Sequence, residues 1–280
     1  MTWLRTVQGP WGQRLVVGLS WDLLWVAAAL GGAAIVVHLL LAYRTRGAPK
    51  NSPPVEKLRR LPERILRHTL PSRLFHWTLA AAVLVLLGTA YLPILGLKFG
   101  WVTIHWIAGL VLTAALAFHA VHASRKGLGL MWIGTRDWRV GWATLRRTLA
   151  RSAPEAPRPG KHPLENKLFH HAAAAATLAA AATGLAMLAK VNTPLWHRNP
   201  DILTEAGWGW VYAVHGAGSL ALVALVPLHV YFGLRPGKWW ITLSMIRGWI
   251  PRERFAERHD PARWTPTPVS RAAPPRPDVP

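Results

Sequence analysis

The chain has 280 residues, is 51% hydrophobic and only 16% charged, and carries 17 Trp and a formal net charge of +21. That is too apolar for a soluble domain of such charge, and apolar runs of about 20 residues mark membrane spans. The absence of cysteine excludes disulfides, thiolate-held iron–sulfur clusters and C-x-x-C-H attachment of c-type haem within this chain.

Five stretches qualify as spans, in chain order: an anchor span at Leu23–Tyr43, then four core spans at Leu74–Leu97, Trp101–Ala123, Leu168–Ala189 and Gly207–Leu234. The last three contain no Asp, Glu, Lys or Arg. Basic residues fall in the connections. Nine lie between the anchor and the first core span, ten between Arg125 and Lys167, and nine after the last span. The remaining connections share Arg5, Arg14, Lys98, Lys190 and Arg198. Basic loops stay on the cytoplasmic side. The expectation is therefore a multi-pass protein of the bacterial inner (plasma) membrane, with the N-terminus periplasmic and the C-terminus cytoplasmic. The same placement makes the charge a topology signal, and nucleic acid is not an expected partner. The anchor is not expected to be a cleaved signal peptide, because its basic cluster, Arg44 and Arg46, follows the apolar run instead of preceding it.

The expected fold class is all-α integral membrane: a four-helix transmembrane bundle plus one extra N-terminal transmembrane helix. Residues 1–50 hold a periplasmic segment and the anchor helix. Residues 71–235 hold the bundle, interrupted by a cytoplasmic loop at 124–166. Within that loop Trp138, Trp142, Leu145 and Leu149 recur at helical spacing opposite Arg139, Arg146 and Arg147, which predicts an amphipathic helix on the membrane surface. "SAPEAPRPG" reads as a flexible joint. Residues 236–280 read as a second amphipathic segment, "GKWWITLSMIRGWIPRERF", and a Pro-rich disordered tail. No internal repeat stands out.

The chemistry-bearing residues of the spans are histidines. His215 and His229 stand fourteen residues apart in the last span. Fourteen helical residues rise about 21 Å and return to within about 40° of the same face. One helix thus presents an imidazole toward each membrane surface. A polar group in a span faces a partner or a site, and neutral imidazole is an axial ligand of haem iron. Gly216, Gly218 and Gly109 leave room beside His215 and His105 for a flat apolar group. By depth, His105 pairs with His215 and His76 with His229. A rival scheme uses His119, fourteen residues after His105, instead of His76; spacing alone leaves both open. The lack of intramembrane carboxylates stands against a proton-coupled or zinc transporter, and no His-Glu-x-x-His pattern is present.

Several stretches resemble the membrane cytochrome b (gamma) subunit of formate dehydrogenase, a family related to the cytochrome b subunits of nickel–iron hydrogenases. They are "RLFHW" at Arg73–Trp77, "IHWIAG" at Ile104–Gly109, "VHGAG" at Val214–Gly218, "LHVY" at Leu228–Tyr231, "SMIRGWI" at Ser244–Ile250 and "HDPARW" at His259–Trp264. The resemblance implies two b-type haems, the cytoplasmic-side one on His76 and His229 and the periplasmic-side one on His105 and His215. It also implies quinone as electron acceptor near the cytoplasmic haem, and electrons supplied by a periplasmic iron–sulfur subunit fed by a molybdenum or tungsten catalytic subunit. The anchor span, His119 and the pair His170–His171 depart from the family pattern.

His119, His122 and His170 cluster toward the inner surface as candidates for a quinone or proton site, or for a further haem. Arg73 and Lys167 are candidate partners of haem propionates. The expected function is that of a respiratory-chain subunit that passes electrons through haem to quinone, with the primary substrate chemistry on another subunit. The same role serves a hydrogenase, a thiosulfate reductase or another molybdoenzyme. A haem-free membrane transporter or assembly protein is the alternative of a different class.

Overall fold

The computed structural model describes residues 2–44, 55–126, 128–150, 154 and 156–269. Five of its helices are long and apolar enough to cross a membrane, and the molecule is an all-α membrane protein with small strand additions at its two ends.

The chain opens with an antiparallel hairpin, β1 (Leu4–Gln8) and β2 (Arg14–Leu19), which hydropathy alone does not reveal. Gly12, at φ 76°, supplies the left-handed turn residue that a side chain would strain. Arg5 Nε donates to the Leu19 carbonyl at 2.8 Å, and its guanidinium lies 4.2 Å from the centre of the Trp21 ring. Helix α1 (Leu23–Arg44) is the anchor; α2 (Val55–Arg59) and β3 (Arg64–Leu66) lead into the bundle.

The bundle consists of α3 (Leu70–Tyr91), α4 (Trp101–Lys126), α6 (Leu164–Leu188) and α7 (Glu205–Leu234), with α5 (Thr135–Leu149) between α4 and α6. Helix α3 ends at Tyr91, earlier than the apolar run suggests, because Pro93 and Gly96 turn the chain, the latter at φ 96°. Helix α3 packs chiefly on α4 and α6 chiefly on α7, while α1 and β2 lie along α7. The bundle core is Ala82, Val83 and Leu112, with Leu86, Ala181 and Val226 around it. Small residues set the close approaches. A side chain at Gly218 would meet the Ala176 carbonyl, one at Gly31 the Ala224 carbonyl, and one at Gly209 the Val16 carbonyl. Bare backbone at these points is what lets membrane helices touch.

At the end opposite the hairpin, α8 (Trp239–Arg247), β4 (Trp249–Pro251) and α9 (Arg252–Arg258) form a lid. The sequence reading takes this stretch as one surface helix. Gly248, at φ 93°, instead caps α8 in the left-handed conformation, and the chain turns to pair β4 with β3. Ile65, Ile250 and Phe255 form a second core there, backed by Leu61, Trp240 and Trp264. The expected flexible joint is partly held by this lid: Arg158 donates to the Ala256 carbonyl at 2.6 Å and the Asp260 amide to Pro159. The expected disordered tail is held at its start, where Leu66 donates to the Thr267 carbonyl and Val269 to that of Arg64; its remainder, 270–280, lies outside the described residues.

Helix α5 forms where its pattern predicts. Trp138, Trp142, Leu145 and Leu149 are all exposed, as befits an apolar face turned to lipid. Asp137 fixes its start, accepting from the Gly134 amide at 3.0 Å.

Candidate functional site

The bundle helices bring the span histidines together as three facing pairs. At the hairpin end, His105 of α4 faces His215 of α7 with ring centres 6.2 Å apart and planes at 63°. At the lid end, His76 of α3 faces His229 of α7 at 6.0 Å and 55°. At the same end, His119 of α4 faces His170 of α6 at 6.2 Å and 63°. The rival partnership of His119 with His229 is thus absent among the described contacts: His119 turns to α6.

These separations are chemically informative. With ring nitrogens about 1.15 Å from the ring centre, a 6.2 Å centre separation keeps any two facing nitrogens at least about 3.9 Å apart, beyond hydrogen-bond reach of roughly 3.2 Å. A gap of about 4 Å is what two opposed metal–imidazole bonds of about 2.0 Å span. Among the described residues no group of three or more His, Asp or Glu is placed to hold a bare ion. Two opposed imidazoles without further protein ligands match an iron whose other four ligands come from a macrocycle.

The first pair is held by hydrogen bonds at one nitrogen of each ring. Thr89 Oγ1 donates to the Val85 carbonyl at 2.8 Å and lies 2.8 Å from His105 Nδ1. Its one proton is committed to α3, so His105 Nδ1 must be the donor between them, and His105 Nε2 keeps its lone pair. On the other side His215 Nδ1 is 3.0 Å from the Ala180 carbonyl and 3.1 Å from Thr183 Oγ1. A carbonyl only accepts, so here too Nδ1 carries the proton and Nε2 is left as a ligand. Both rings border a cavity of ≈ 240 Å³ lined by Val83, Leu86, Leu112, Gly109 and Gly184. A side chain at Gly109 would meet no atom within 4 Å, and one at Gly184 would press on His215 Cε1. The cavity lining is largely apolar and two histidines face each other across it, and these residues fit haem.

At the lid end Phe75 stacks on His119 with ring centres 4.2 Å apart at 12°. Phe169 stacks on His229 at 4.9 Å and 17°. His122 does not join a pair; it stacks on Phe118, and its Nε2 is buried without a hydrogen-bond partner. His171 Nδ1 is bonded to the Lys167 carbonyl at 2.7 Å. Arg73 Nη2 donates to the Ile246 carbonyl, while its Nε is buried and unpartnered. Lys167 is committed elsewhere: its ammonium contacts Asp137 Oδ2 at 2.9 Å and the Trp132 carbonyl at 2.7 Å. Arg263 holds the other Asp137 oxygen at 2.9 Å. Burial alone would raise the Asp137 carboxyl, but Lys167, the Gly134 amide and Arg263 outweigh it and hold it at about 2.

Beneath this end lies a buried cationic patch that sequence reasoning did not single out. Arg67 is 3% exposed, between the rings of Trp240 and Trp264. Its Nη1 is 3.3 Å from His259 Nε2, and His259 Nδ1 is 2.8 Å from the Gly160 carbonyl. His259 is therefore neutral, donating through Nδ1 and accepting at Nε2. Burial, then the Arg67 charge, lowers it to about 4. Burial likewise lowers His68 to about 2 and His162 to about 3. Arg67 itself falls to about 10 through burial. The first residue of "HDPARW" is thus a structural latch.

The pairing exposes a repeat that the linear reading passed over. Arg73-Leu74-Phe75-His76 and Lys167-Leu168-Phe169-His170 occupy the starts of α3 and α6, and in each a threonine, Thr89 or Thr183, follows thirteen residues after the histidine. In each hairpin that threonine bonds the first histidine of the next helix, and a second histidine follows fourteen residues later. The spacing was the available signal. It is sparse because the intervening alanine- and leucine-rich residues face lipid or generic packing and need not match.

The family model described as prokaryotic cytochrome b561 matches residues 67–248. That is well over half of the chain and includes every paired histidine, and the chain belongs to this family. The hairpin and α1 lie outside the matched segment. No curated protein matches the chain.

Proposed function

We propose that this member of the prokaryotic cytochrome b561 family, a multi-pass b-haem electron-transfer subunit, serves a respiratory oxidoreductase of the formate dehydrogenase type. In this reading His105 and His215 hold one haem near the periplasmic face, and His76 and His229 hold a second near the cytoplasmic face. Electrons enter from a periplasmic iron–sulfur subunit linked to a molybdenum or tungsten enzyme and leave to quinone beside the His76–His229 pair. The observation that carries the reading is the His105–His215 pair: two rings 6.2 Å apart, each bonded at Nδ1 and both lining one apolar cavity.

Haem, when bound, supplies a reversible one-electron carrier at each level. The chain's residues do the rest. Thr89, Thr183 and the Ala180 carbonyl orient the ligand rings and raise their basicity. Val83, Leu86 and Leu112 keep water from the hairpin-end site. His122, with its buried unpartnered Nε2, is the residue we assign to quinone contact or proton delivery. Arg73, with its buried unpartnered Nε, is the propionate partner we assign; Lys167 already has Asp137. The basic connections, Arg125–Lys167 and the lid, support a cytoplasmic lid end under the positive-inside rule, and with it a periplasmic hairpin end.

The test is a reduced-minus-oxidised spectrum of the purified full chain, followed by His105→Ala and His229→Ala. A b-type alpha band that each substitution diminishes supports the reading; its absence overturns it. A hydrogenase, thiosulfate reductase or other molybdoenzyme fits the same chain, because in this reading the primary substrate is converted on another subunit, and the identity of the co-purifying subunits decides among them.

A further inference from the structure

We propose that His119 and His170 bind a third b-type haem, beside the His76–His229 pair at the lid end. The proposal rests on the two-haem reading above and extends it. Four observations converge on it.

The first is the separation. The His119–His170 rings stand at 6.2 Å and 63°, the same values as the His105–His215 pair. They are too far apart to hydrogen-bond to one another, yet spaced for one metal between two nitrogens.

The second is the repeat. His170 occupies in α6 the position that His76 occupies in α3, and His119 occupies in α4 the position that His229 occupies in α7. Exchanging the two hairpins therefore turns the His76–His229 pair into the His170–His119 pair. The same exchange turns His105–His215 into itself. A duplicated hairpin that builds one haem site across its two copies and a second at one side builds a third at the other side.

The third is the surroundings, which obey the same exchange. Phe75, next to His76, stacks on His119; Phe169, next to His170, stacks on His229. His119 and His229 are thus each braced by the phenylalanine of their own hairpin. Arg73 and Lys167 likewise match, each three residues before its ligand.

The fourth is the ligand set. No further His, Asp or Glu among the described residues completes a bare-metal site at this pair, and imidazoles set in apolar spans are costly without a partner. A macrocycle with its own four equatorial nitrogens is the ligand class that needs only two opposed imidazoles.

The test is haem counting on the full-length protein by pyridine haemochrome against polypeptide concentration, with electron paramagnetic resonance of the oxidised protein to resolve low-spin centres. The expected result is three haems per chain and three low-spin signals. His119→Ala and His170→Ala should each remove one haem and the same signal, and His76→Ala a different one. Two haems per chain, unchanged by His119→Ala and His170→Ala, would overturn the third site and leave the two-haem reading standing. Two haems of which His119→Ala removes one while His76→Ala removes none would overturn both the third site and the assigned lid-end ligands. Absence of any haem would sink the functional reading itself. Should the alanine variants lose all signals by unfolding, His170→Gly grown with added imidazole decides: recovery of three signals supports ligation, and no recovery overturns it.

Discussion

Thr89 Oγ1 stands 2.8 Å from His105 Nδ1 while its own proton is committed to the Val85 carbonyl. The threonine is thereby an acceptor for the histidine, and the histidine is held with Nε2 as its free ligand atom. Thr89→Val and Thr183→Val should weaken retention of the haem proposed at the hairpin end by roughly 10- to 100-fold. Because the acceptor raises ligand basicity and so favours ferric iron, the midpoint potential should move upward. A redox titration that shows an unchanged or lowered potential for that haem would refute the role.

Asp137 ties three segments together, through Lys167 of α6, Arg263 of the lid and its own helix α5. The carboxylate and the ammonium are each about 9% exposed as side chains. Asp137→Ala strands a buried lysine, which costs about 3–5 kcal/mol. Limited proteolysis in the 124–166 loop should accelerate, and the thermal transition in detergent should fall. The carboxyl sits at about 2 against an ordinary 3.8. Its folded value is depressed, so its stabilisation is present above pH 4 and is lost as pH falls toward 2, amounting to about 2 kcal/mol. Asp137→Asn should flatten the acid limb of the stability curve in that window.

The lid carries a second acid response. His259, His162 and His68 lie at about 4, 3 and 2 in the closed lid, against an ordinary 6.5. An opened lid binds protons more readily than the closed one, so closure is favoured above pH 6.5 and weakens as pH falls below it. Amide exchange in β4 and α9 should therefore rise between pH 6.5 and 4 while that of α4 and α6 stays fixed. His259→Gln, which keeps one donor and one acceptor, should reduce the pH dependence; an unaltered profile would show that His259 is not the latch.

Gly209 has no room for a side chain, since an added Cβ would collide with the Val16 carbonyl oxygen. Gly209→Val should push β2 away from α7 and destabilise the hairpin end by about 1–3 kcal/mol. Enhanced cleavage between β1 and α1 is the readout, with the lid-end haem signals left intact. Loss of the lid-end signals instead would show that the hairpin stabilises the bundle as a whole.

Much of this was written in the linear pattern. Uncharged runs of span length announce α1, α3, α4, α6 and α7, and Trp138 to Leu149 announce α5, because periodicity is a local property. The terminal hairpin was not legible: "VQGPWGQRL" has short strands whose order depends on α7 behind them and on bare backbone at Gly209. The break of the lid at Gly248 was not legible either, because a glycine in an amphipathic run signals a left-handed cap only when β3 is there to receive the returning strand. Arg67 reads in sequence as one more basic connection residue and His259 only as the start of "HDPARW", since their burial is produced by separated segments closing on Trp240 and Trp264.

The histidine intervals fixed depth and face along each helix, because rise and turn per residue are constants of the α-helix. They did not fix which helix stands opposite, because apolar helices in lipid choose neighbours by small-residue contacts and not by hydropathy. That choice put His229 opposite His76, sent His119 to His170, and turned two loosely similar hairpins into one bundle with three opposed imidazole pairs.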